Sequence, residues 1–508
     1  MVEVELDGQT YRFDSASGAD LGPYSDPQGQ FVQDCIRVDH PQLPLSVFIR
    51  PDRGSDRLEV VFESGRLWGG AGEPRPLNKY RARIFRGSTS LASVDVPPHY
   101  WFARWRWQSK PRPIRANPAQ LMDQWLVPRL SEQLRPRSDT FRPIEIFAPM
   151  GVANLLPYMP SSGERPEIGL LTEYQAQYLC NGNDTALNIL LAQAEAAGTF
   201  PWIMRDEKTN GPLDTLAYPR VTTYQQGGDP FIRTINQAVT ADAAHQPALT
   251  YVPYLLTGDP YYLEQLQFQA SFNVVWRPWA ARYRTTQIRG EAWSLRTWAQ
   301  AARITPAQVP KWLLPQSHWQ KLLDSYLAAY LKNFVANPEA PYAIFRTTEQ
   351  GFGDNRGGLL AGTYGYPWQD EMLTAVIGWT VLMGHSSWRP VFEWKIGSTI
   401  ARTNGQTGWL RADCTTYNIV LRTSPDAPWV KSWKEAWDLT AAAFKLTVSD
   451  PDRLDLSQIY YFPYTYGALV LAKHLEIPGA GPCLDWANGE LSRAVANKHP
   501  LPFKWALV

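Results

Sequence analysis

The 508-residue sequence predicts a multidomain β + α protein, an N-terminal antiparallel β-sandwich followed by an (α/α) toroid of helical hairpins. Residues 1–110 carry short segments of alternating hydrophobicity separated by turn residues, the pattern of antiparallel strands. Beyond residue 119 the apolar residues recur at helical spacing. The connections between these helices are alternately short and long, which favours a ring of helical hairpins over a simple bundle.

The β-sandwich domain is predicted to span residues 1–110. Residues Val2 to Leu6 alternate, and Asp7-Gly8 then provides the turn of a hairpin. Further strands are predicted at 45–49, 58–62, 80–85 and 100–107. Tryptophan and arginine alternate in the last of these, which predicts cross-strand packing on one face and solvated arginines on the other. The alternative is a face that binds an anion or a sugar.

A proline-rich linker is predicted at 111–118, and the toroid, the expected catalytic domain, at 119–508. Asn183-Asp184 provides one helix start and Gly198 follows a helix end. The long connections gather most glycines, prolines, aromatics and charges, and sites are commonly built on such loops. Twelve helices are predicted, at 119–130, 169–181, 184–198, 246–256, 261–274, 290–303, 317–335, 369–384, 388–401, 430–446, 464–475 and 485–496.

The composition excludes several classes of protein. With 49 basic and 48 acidic residues the net charge is +1, so no nucleic-acid partner is expected. No apolar run approaches about 18 residues, so no membrane insertion is expected. The N-terminus lacks the pattern of a signal peptide, which predicts a soluble protein in the cytoplasm or in a virion. The four cysteines are scattered, and we expect free thiols, no metal ion and no cofactor.

Aromatic residues are abundant, with 22 tryptophans and 24 tyrosines. A core of this size does not need all of them, so some are expected to line a groove that binds sugar rings or a protein partner. A β-sandwich followed by a helical toroid with aromatic-rich loops resembles the six-hairpin (α/α) toroid carbohydrate-active enzymes, both glycoside hydrolases and polysaccharide lyases. The resemblance is architectural and covers about residues 115–508. It implies a glycan substrate and assigns no catalytic residue.

Hydrolysis of a glycosidic bond needs two carboxylates, one protonated and one ionised. Three segments combine acids with aromatic neighbours, and their candidate catalytic residues are Asp206, Glu207, Glu291, Asp370 and Glu371. The alternative for the acids at helix starts is a favourable interaction with the helix dipole, and for Asp206-Glu207 an ordinary surface loop. Sugar binding is predicted for Trp202, Arg205, Arg289, Trp293, Tyr364, Tyr366 and Trp368.

Polysaccharide cleavage by β-elimination is the second interpretation. A histidine or tyrosine removes the proton next to a uronate carboxylate, and an arginine neutralises that carboxylate. His245, with Tyr251 or Tyr254 and with Arg289, provides such a set. The alternative for His245 is a helix cap. Asp259, in Thr-Gly-Asp-Pro, is predicted to cap a helix.

A third interpretation is a non-enzymatic glycan-binding or structural protein of a phage particle, and a depolymerase carried on a virion would combine it with the first two. The glycine-rich segment 351–358 lacks the pattern of a phosphate loop, and a cation site at Asp354 and Asn355 has little support. The expected partners are a glycan, further copies of the chain or phage-particle proteins. The hypothesis requires that the segments 205–207, 245–298 and 366–370 meet in space.

Overall fold

The computed structural model describes residues 1–68, 75–131, 148–161, 165–223, 230–277, 287–336, 363–424, 427–499 and 503–508. Among these, an N-terminal part made of antiparallel sheets precedes a helical C-terminal part. The predicted mixture of β and α structure, in that order along the chain, is therefore confirmed.

The N-terminal part contains two larger sheets. Their strand orders are β10-β9-β1-β2 and β11-β8-β7-β6-β3, and every pair of neighbours is antiparallel. A smaller ladder pairs β4 with β5. Another, which lies in the helical C-terminal part, pairs β12 with β13. The strands are β1 (Val2–Leu6), β2 (Gln9–Phe13), β3 (Ala19–Asp20), β4 (Tyr24–Ser25), β5 (Val32–Gln33), β6 (Ile36–Asp39), β7 (Ser46–Pro51), β8 (Leu58–Ser64), β9 (Tyr80–Arg86), β10 (Thr89–Val96), β11 (Ala103–Gln108), β12 (Thr363–Gly365) and β13 (Ile419–Arg422).

The two larger sheets share one apolar core. Val4 from the first sheet joins Phe62 and Trp105 from the second, and the rings of Phe62 and Trp105 stack with centroids 4.3 Å apart. The hairpin between β1 and β2 has the predicted turn, in which Asp7 and Gly8 both have positive φ, 51° and 78°. Glycine tolerates that backbone conformation without strain, which explains why the turn falls there.

Each of the twelve predicted helices has a counterpart in the structure, with ends shifted by up to seven residues; the first, predicted at 119–130, already ends at Asp123. Asp259 caps a helix as predicted, because its side chain accepts a hydrogen bond from Tyr261 N. The last predicted turns of the seventh helix form a π-helical segment, Leu331–Val335. The helices are α1 (Pro118–Asp123), α2 (Glu173–Asn181), α3 (Asp184–Ala196), α4 (Tyr251–Thr257), α5 (Pro260–Val275), α6 (Ile288–Ile304), α7 (Gln316–Tyr330), α8 (Pro367–Leu382), α9 (Arg389–Thr403), α10 (Trp433–Phe444), α11 (Phe462–His474) and α12 (Ala480–Ala496).

Contacts between helix termini fix the relative directions of these helices. The N-termini of α6, α8 and α11 and the C-termini of α7 and α9 lie at one end of the helical part, here called the α6 end. The contacts that show this are Arg289–Trp368, Glu291–Tyr330, Glu371–Arg402 and Glu371–Thr465. None of the described helices combines the length and apolar character needed to cross a bilayer.

A buried cluster of ion pairs joins the β part to α5. Glu264 of α5 accepts hydrogen bonds from Arg104 of β11 at 2.6 Å and from Arg50 of β7 at 2.8 Å. Arg106 of β11 contacts Asp259 at 2.7 Å. The prediction of solvated arginines on β11 is therefore wrong. Alternation placed Arg104 and Arg106 on the face opposite Trp105, but that face is covered by helices, and both arginines are buried.

The predicted linker is anchored to both parts. Arg112 forms a bidentate pair with Asp52, at 2.9 Å for each contact. Arg115 pairs with Asp26 and donates to the carbonyl of Thr257, at the C-terminus of α4. The four cysteines are free thiols, as expected from their spacing, and three of them are buried.

Candidate functional site

The segment Arg205-Asp206-Glu207 lies at the contact with the β part. Arg205 is fully buried, donates to Glu63 of β8 at 2.7 Å and contacts Glu264 at 2.6 Å. Asp206 accepts from the indole of Trp68 at 2.8 Å. Glu207 accepts from the backbone N–H groups of Leu67 and Trp68. These side chains hold the two parts together, so the structure gives Arg205 an interface role and not that of a sugar ligand.

Four predicted site residues lie in the apolar core. The exposed fractions are 1% for Trp202, 0% for Tyr251 and Trp293, and 7% for Tyr254. The Tyr251 hydroxyl donates to the carbonyl of Leu126, and the Tyr254 hydroxyl lies 2.9 Å from that of Tyr24. The positions of these four residues in the sequence did not show whether their side chains lie in the core or line a groove. Because the side chains are buried, they offer no surface to a substrate.

The acids at the N-termini of α6 and α8 are brought to the same end of the helical part, each next to a cation. Glu291 contacts Arg277 at 2.6 Å and accepts from the hydroxyl of Tyr330. Asp370 pairs with Lys395. The three carboxylates predicted at these helix starts are buried, with exposed fractions of 2% for Glu291, 1% for Asp370 and 0% for Glu371.

Glu371 is a buried carboxyl with a raised pKa. It accepts from Arg402 at 2.6 Å and from the hydroxyl of Thr465. Burial raises the pKa of the Glu371 carboxyl, and this effect outweighs the attraction of Arg402. Burial likewise lowers the pKa of Lys395, despite its contact with Asp370. Both shifts favour the neutral forms, as expected where charged groups lose their hydration.

Aromatic side chains surround the start of α8. The guanidinium of Arg289 lies 5.2 Å from the centre of the Trp368 ring, which joins the N-termini of α6 and α8. Trp368 packs against Tyr417 at 5.5 Å and Tyr461 at 5.3 Å, and Tyr366 packs against Tyr417. The exposed fraction of Trp368 is 8%. This group, the Trp368 cluster, places two predicted sugar-binding residues beside the predicted arginine.

His245 is paired with a carboxylate that the sequence analysis did not select. Its ring nitrogen Nδ1 is in hydrogen-bond contact with Oδ2 of Asp242. A carboxylate accepts, so Nδ1 is the donor in this contact, and in the neutral imidazole Nε2 then carries the lone pair. Both side chains retain some exposure, 12% for His245 and 16% for Asp242. The pair is therefore arranged as an oriented general base.

Asp242 also lines a cavity of about 290 Å³, here called the Asp242 cavity. Phe102 and Phe272 contribute apolar walls, and the half-buried ring of Trp276, at the C-terminus of α5, contributes a third. Polar groups complete the lining, from Thr223, Thr234, Asn236, Gln237 and Thr240. An aromatic ring beside several hydroxyl and amide groups suits a sugar ring, which has apolar C–H faces and polar edges.

Gly290 connects this cavity to α6. A Cβ atom at Gly290 would lie 2.8 Å from the Trp276 ring and 3.7 Å from Cα of Ala244. The chain next to His245 and the chain next to Arg289 therefore pack directly together, and only glycine permits that approach. Of the three segments required to meet, 245–298 and 366–370 meet at the α6 end through Arg289 and Trp368. Segment 205–207 contacts 245–298 at a different place, through Arg205 and Glu264 of α5 beside the β part.

Asp242 and Trp276 were not among the predicted site residues. The spacing Asp-x-x-His was a signal for the first, because three residues bring two side chains within reach in a tight turn. The side chain of Tyr364 and the residues Asp354 and Asn355 lie outside the described part of the chain. Among the described residues, no group of three or more His, Cys, Asp or Glu side chains is placed to hold a metal ion.

Comparison of the chain with protein-family models, with curated proteins and with solved structures gave no match.

Proposed function

We propose that the protein cleaves an acidic polysaccharide by β-elimination, with His245 as the base. The observation that carries the proposal is the contact of His245 Nδ1 with Asp242 at the edge of the Asp242 cavity. The carboxylate orients the imidazole and leaves the lone pair on Nε2 to take a proton. Three of the carboxylates considered for hydrolysis, Glu291, Asp370 and Glu371, are almost fully buried beside cations, and Asp206 and Glu207 bind Trp68 and its backbone, which favours His245 over them.

The proposed reaction combines the transfer of a proton, the formation of a double bond and the cleavage of a C–O bond. Nε2 of His245 takes the proton from the carbon next to the substrate carboxylate, and the electron pair left behind forms a carbon–carbon double bond. The C–O bond to the leaving sugar breaks, and its oxygen takes a proton from solvent. Arg289 neutralises the substrate carboxylate, which stabilises the carbanion-like transition state. Its neighbour Gly290 packs against the chain next to His245, which supports this assignment.

A closed ring of helical hairpins forms the scaffold in this proposal. The C-terminal segment supports closure, because it contacts both an early helix, α2, and a late helix, α11. Lys504 N donates to Glu173 of α2 at 3.2 Å, while Trp505 packs against Tyr464 of α11 at 5.0 Å. Sugar residues would bind along the α6 end, between Trp276 and the Trp368 cluster.

The test is a screen of uronate-containing and neutral polysaccharides that follows ultraviolet absorbance and reducing ends together. Elimination generates an unsaturated product that absorbs in the ultraviolet, whereas hydrolysis does not. Replacement His245→Asn removes the base and is expected to lower the rate about 10²–10⁴-fold. His499→Asn is the matched control, because His499 is exposed and lies far along the chain on the segment after α12. Equal activity of both variants would refute the assignment of His245.

Hydrolysis is the second candidate, and the raised pKa of Glu371 favours it. A carboxyl with a raised pKa keeps its proton to a higher pH than an ordinary carboxyl, which suits a general acid. Hydrolysis predicts new reducing ends without ultraviolet absorbance. It also predicts loss of activity in Glu371→Gln and full activity in His245→Asn. Binding of a glycan by the wild-type chain with neither product would instead indicate a binding module.

A further inference from the structure

Arg296, in the middle of α6, is a buried cation that pairs with no carboxylate of the described residues. Its exposed fraction is 1%, and its guanidinium donates to the carbonyls of Gly169 and Gln246. Among the described residues, other buried arginines contact an acid, namely Arg50, Arg104, Arg106, Arg205, Arg277 and Arg402. Burial lowers the pKa of Arg296 to about 9.

Two neighbours on the same face of α6 bury polar hydrogens as well. Trp293 precedes Arg296 by three residues and Gln300 follows it by four, so the three side chains lie along one face. The guanidinium of Arg296 lies 5.0 Å from the centre of the Trp293 ring. Within the described part of the chain, no acceptor lies within hydrogen-bond distance of Trp293 Nε1, Arg296 Nε or Gln300 Nε2, and no donor lies within that distance of Gln300 Oε1.

A buried donor without an acceptor costs about 1–3 kcal/mol. Three donors along one face, one of them charged, require a compact negatively charged acceptor more than they require water, because water does not neutralise the guanidinium. Arginine and tryptophan side chains are donors only, which excludes a cation. The contact of Arg296 with the Gln246 carbonyl places this face beside the residue that follows His245.

We infer that Trp293, Arg296 and Gln300 bind a compact monovalent anion inside the helical part. Its charge is that of a chloride ion or of a small carboxylate. The anion balances the buried guanidinium and so stabilises α6 where it packs beside the segment that holds His245. Binding of this anion does not depend on the proposed elimination, since it acts on the stability of the fold.

The test measures thermal unfolding of the full chain at constant ionic strength, with chloride, formate or gluconate as the anion. Binding to the folded state raises Tm as ligand concentration exceeds Kd. Chloride or formate is expected to raise Tm by on the order of 1–3 °C with saturation, and gluconate, which is too large for a buried face, is not. The larger of the first two shifts identifies a halide or a carboxylate as the occupant. Equal Tm values in all three salts would overturn the inference.

The variant Arg296→Met removes the charge and keeps an apolar chain of similar width. Its Tm is expected to be independent of chloride and formate. Arg303→Met is the matched control, because Arg303 is exposed on the same helix and should retain the full shift. If Arg296→Met retains the shift, the anion binds elsewhere and the inference fails.

A second measurement does not depend on whether Arg296→Met folds. Line broadening of the chloride nuclear magnetic resonance signal by wild-type protein, reversed by formate, is expected and reports binding directly. Gln300→Leu keeps the helix and removes one donor, so it should weaken the apparent affinity severalfold. Absence of broadening by the wild-type protein, together with a Tm that formate does not raise, would also overturn the inference. Loss of polysaccharide cleavage in His245→Asn with an unchanged chloride shift would separate the anion site from the proposed function.

Discussion

Glu264 offers the sharpest test of how the two parts of the chain are held together. It is fully buried on α5 and contacts Arg104 at 2.6 Å, Arg205 at 2.6 Å and Arg50 at 2.8 Å. Replacement Glu264→Gln keeps the shape of the side chain and removes its charge. Removal of one partner from a buried ion pair typically costs about 3–5 kcal/mol, because the remaining charge stays buried without compensation.

The structure sets the expected loss near the lower limit of that range. Each arginine keeps a second carboxylate, since Arg50 lies 3.3 Å from Glu59, and Glu63 lies 3.5 Å from Arg104 and 2.7 Å from Arg205. We therefore expect a loss of about 3 kcal/mol in the free energy of unfolding. The cluster then remains partly neutralised, so the chain should still fold.

The assay is urea unfolding followed by circular dichroism, with the free energy obtained by linear extrapolation. Glu5→Gln is the matched control. Its pair with Arg83 is exposed, with 42% and 41% of the two side chains accessible, and such pairs contribute about 0–1 kcal/mol. If Glu264→Gln loses no more stability than Glu5→Gln, the buried cluster does not hold the parts together and the reasoning is wrong.

The same contacts make stability dependent on pH. Arg106 holds the pKa of Asp259 below its usual value despite burial, so Asp259 contributes stability that is present above its unfolded pKa and is lost as pH falls through the folded pKa. Asp259→Asn should flatten the acid limb of the unfolding profile, and an unchanged limb would count against this contribution. At the cavity, Asp242→Asn should lower turnover about 10-fold or more through loss of imidazole orientation, and Trp276→Ala should raise KM more than it lowers kcat. Unchanged kinetics in both would show that the cavity does not bind substrate.

The order of local structures could be predicted from the sequence because it depends on neighbours along the chain. Alternation and the Asp7-Gly8 turn gave the first hairpin, and apolar spacing with caps such as Asp259 gave the helices. These signals act over a few residues and need no knowledge of the rest of the fold.

The roles of polar and aromatic residues needed the tertiary structure. Arg104 and Arg106 were expected to be solvated because alternation shows which side chains share a face, but not what covers that face. Tyr251 and Trp293 occupy positions in the sequence that would also suit a groove, and packing decided that they lie in the core.

In the candidate site, too, some features could be predicted from the sequence and others needed the tertiary structure. The sequence by itself determined a mixed chain, with antiparallel strands before helices and with acids and aromatics at helix starts. Only the tertiary structure decided that α6 and α8 begin at the same end, that Asp242 contacts His245, and that Arg296 is buried beside backbone carbonyls. Burial and charge compensation depend on groups that are distant in sequence, so no local pattern encodes them.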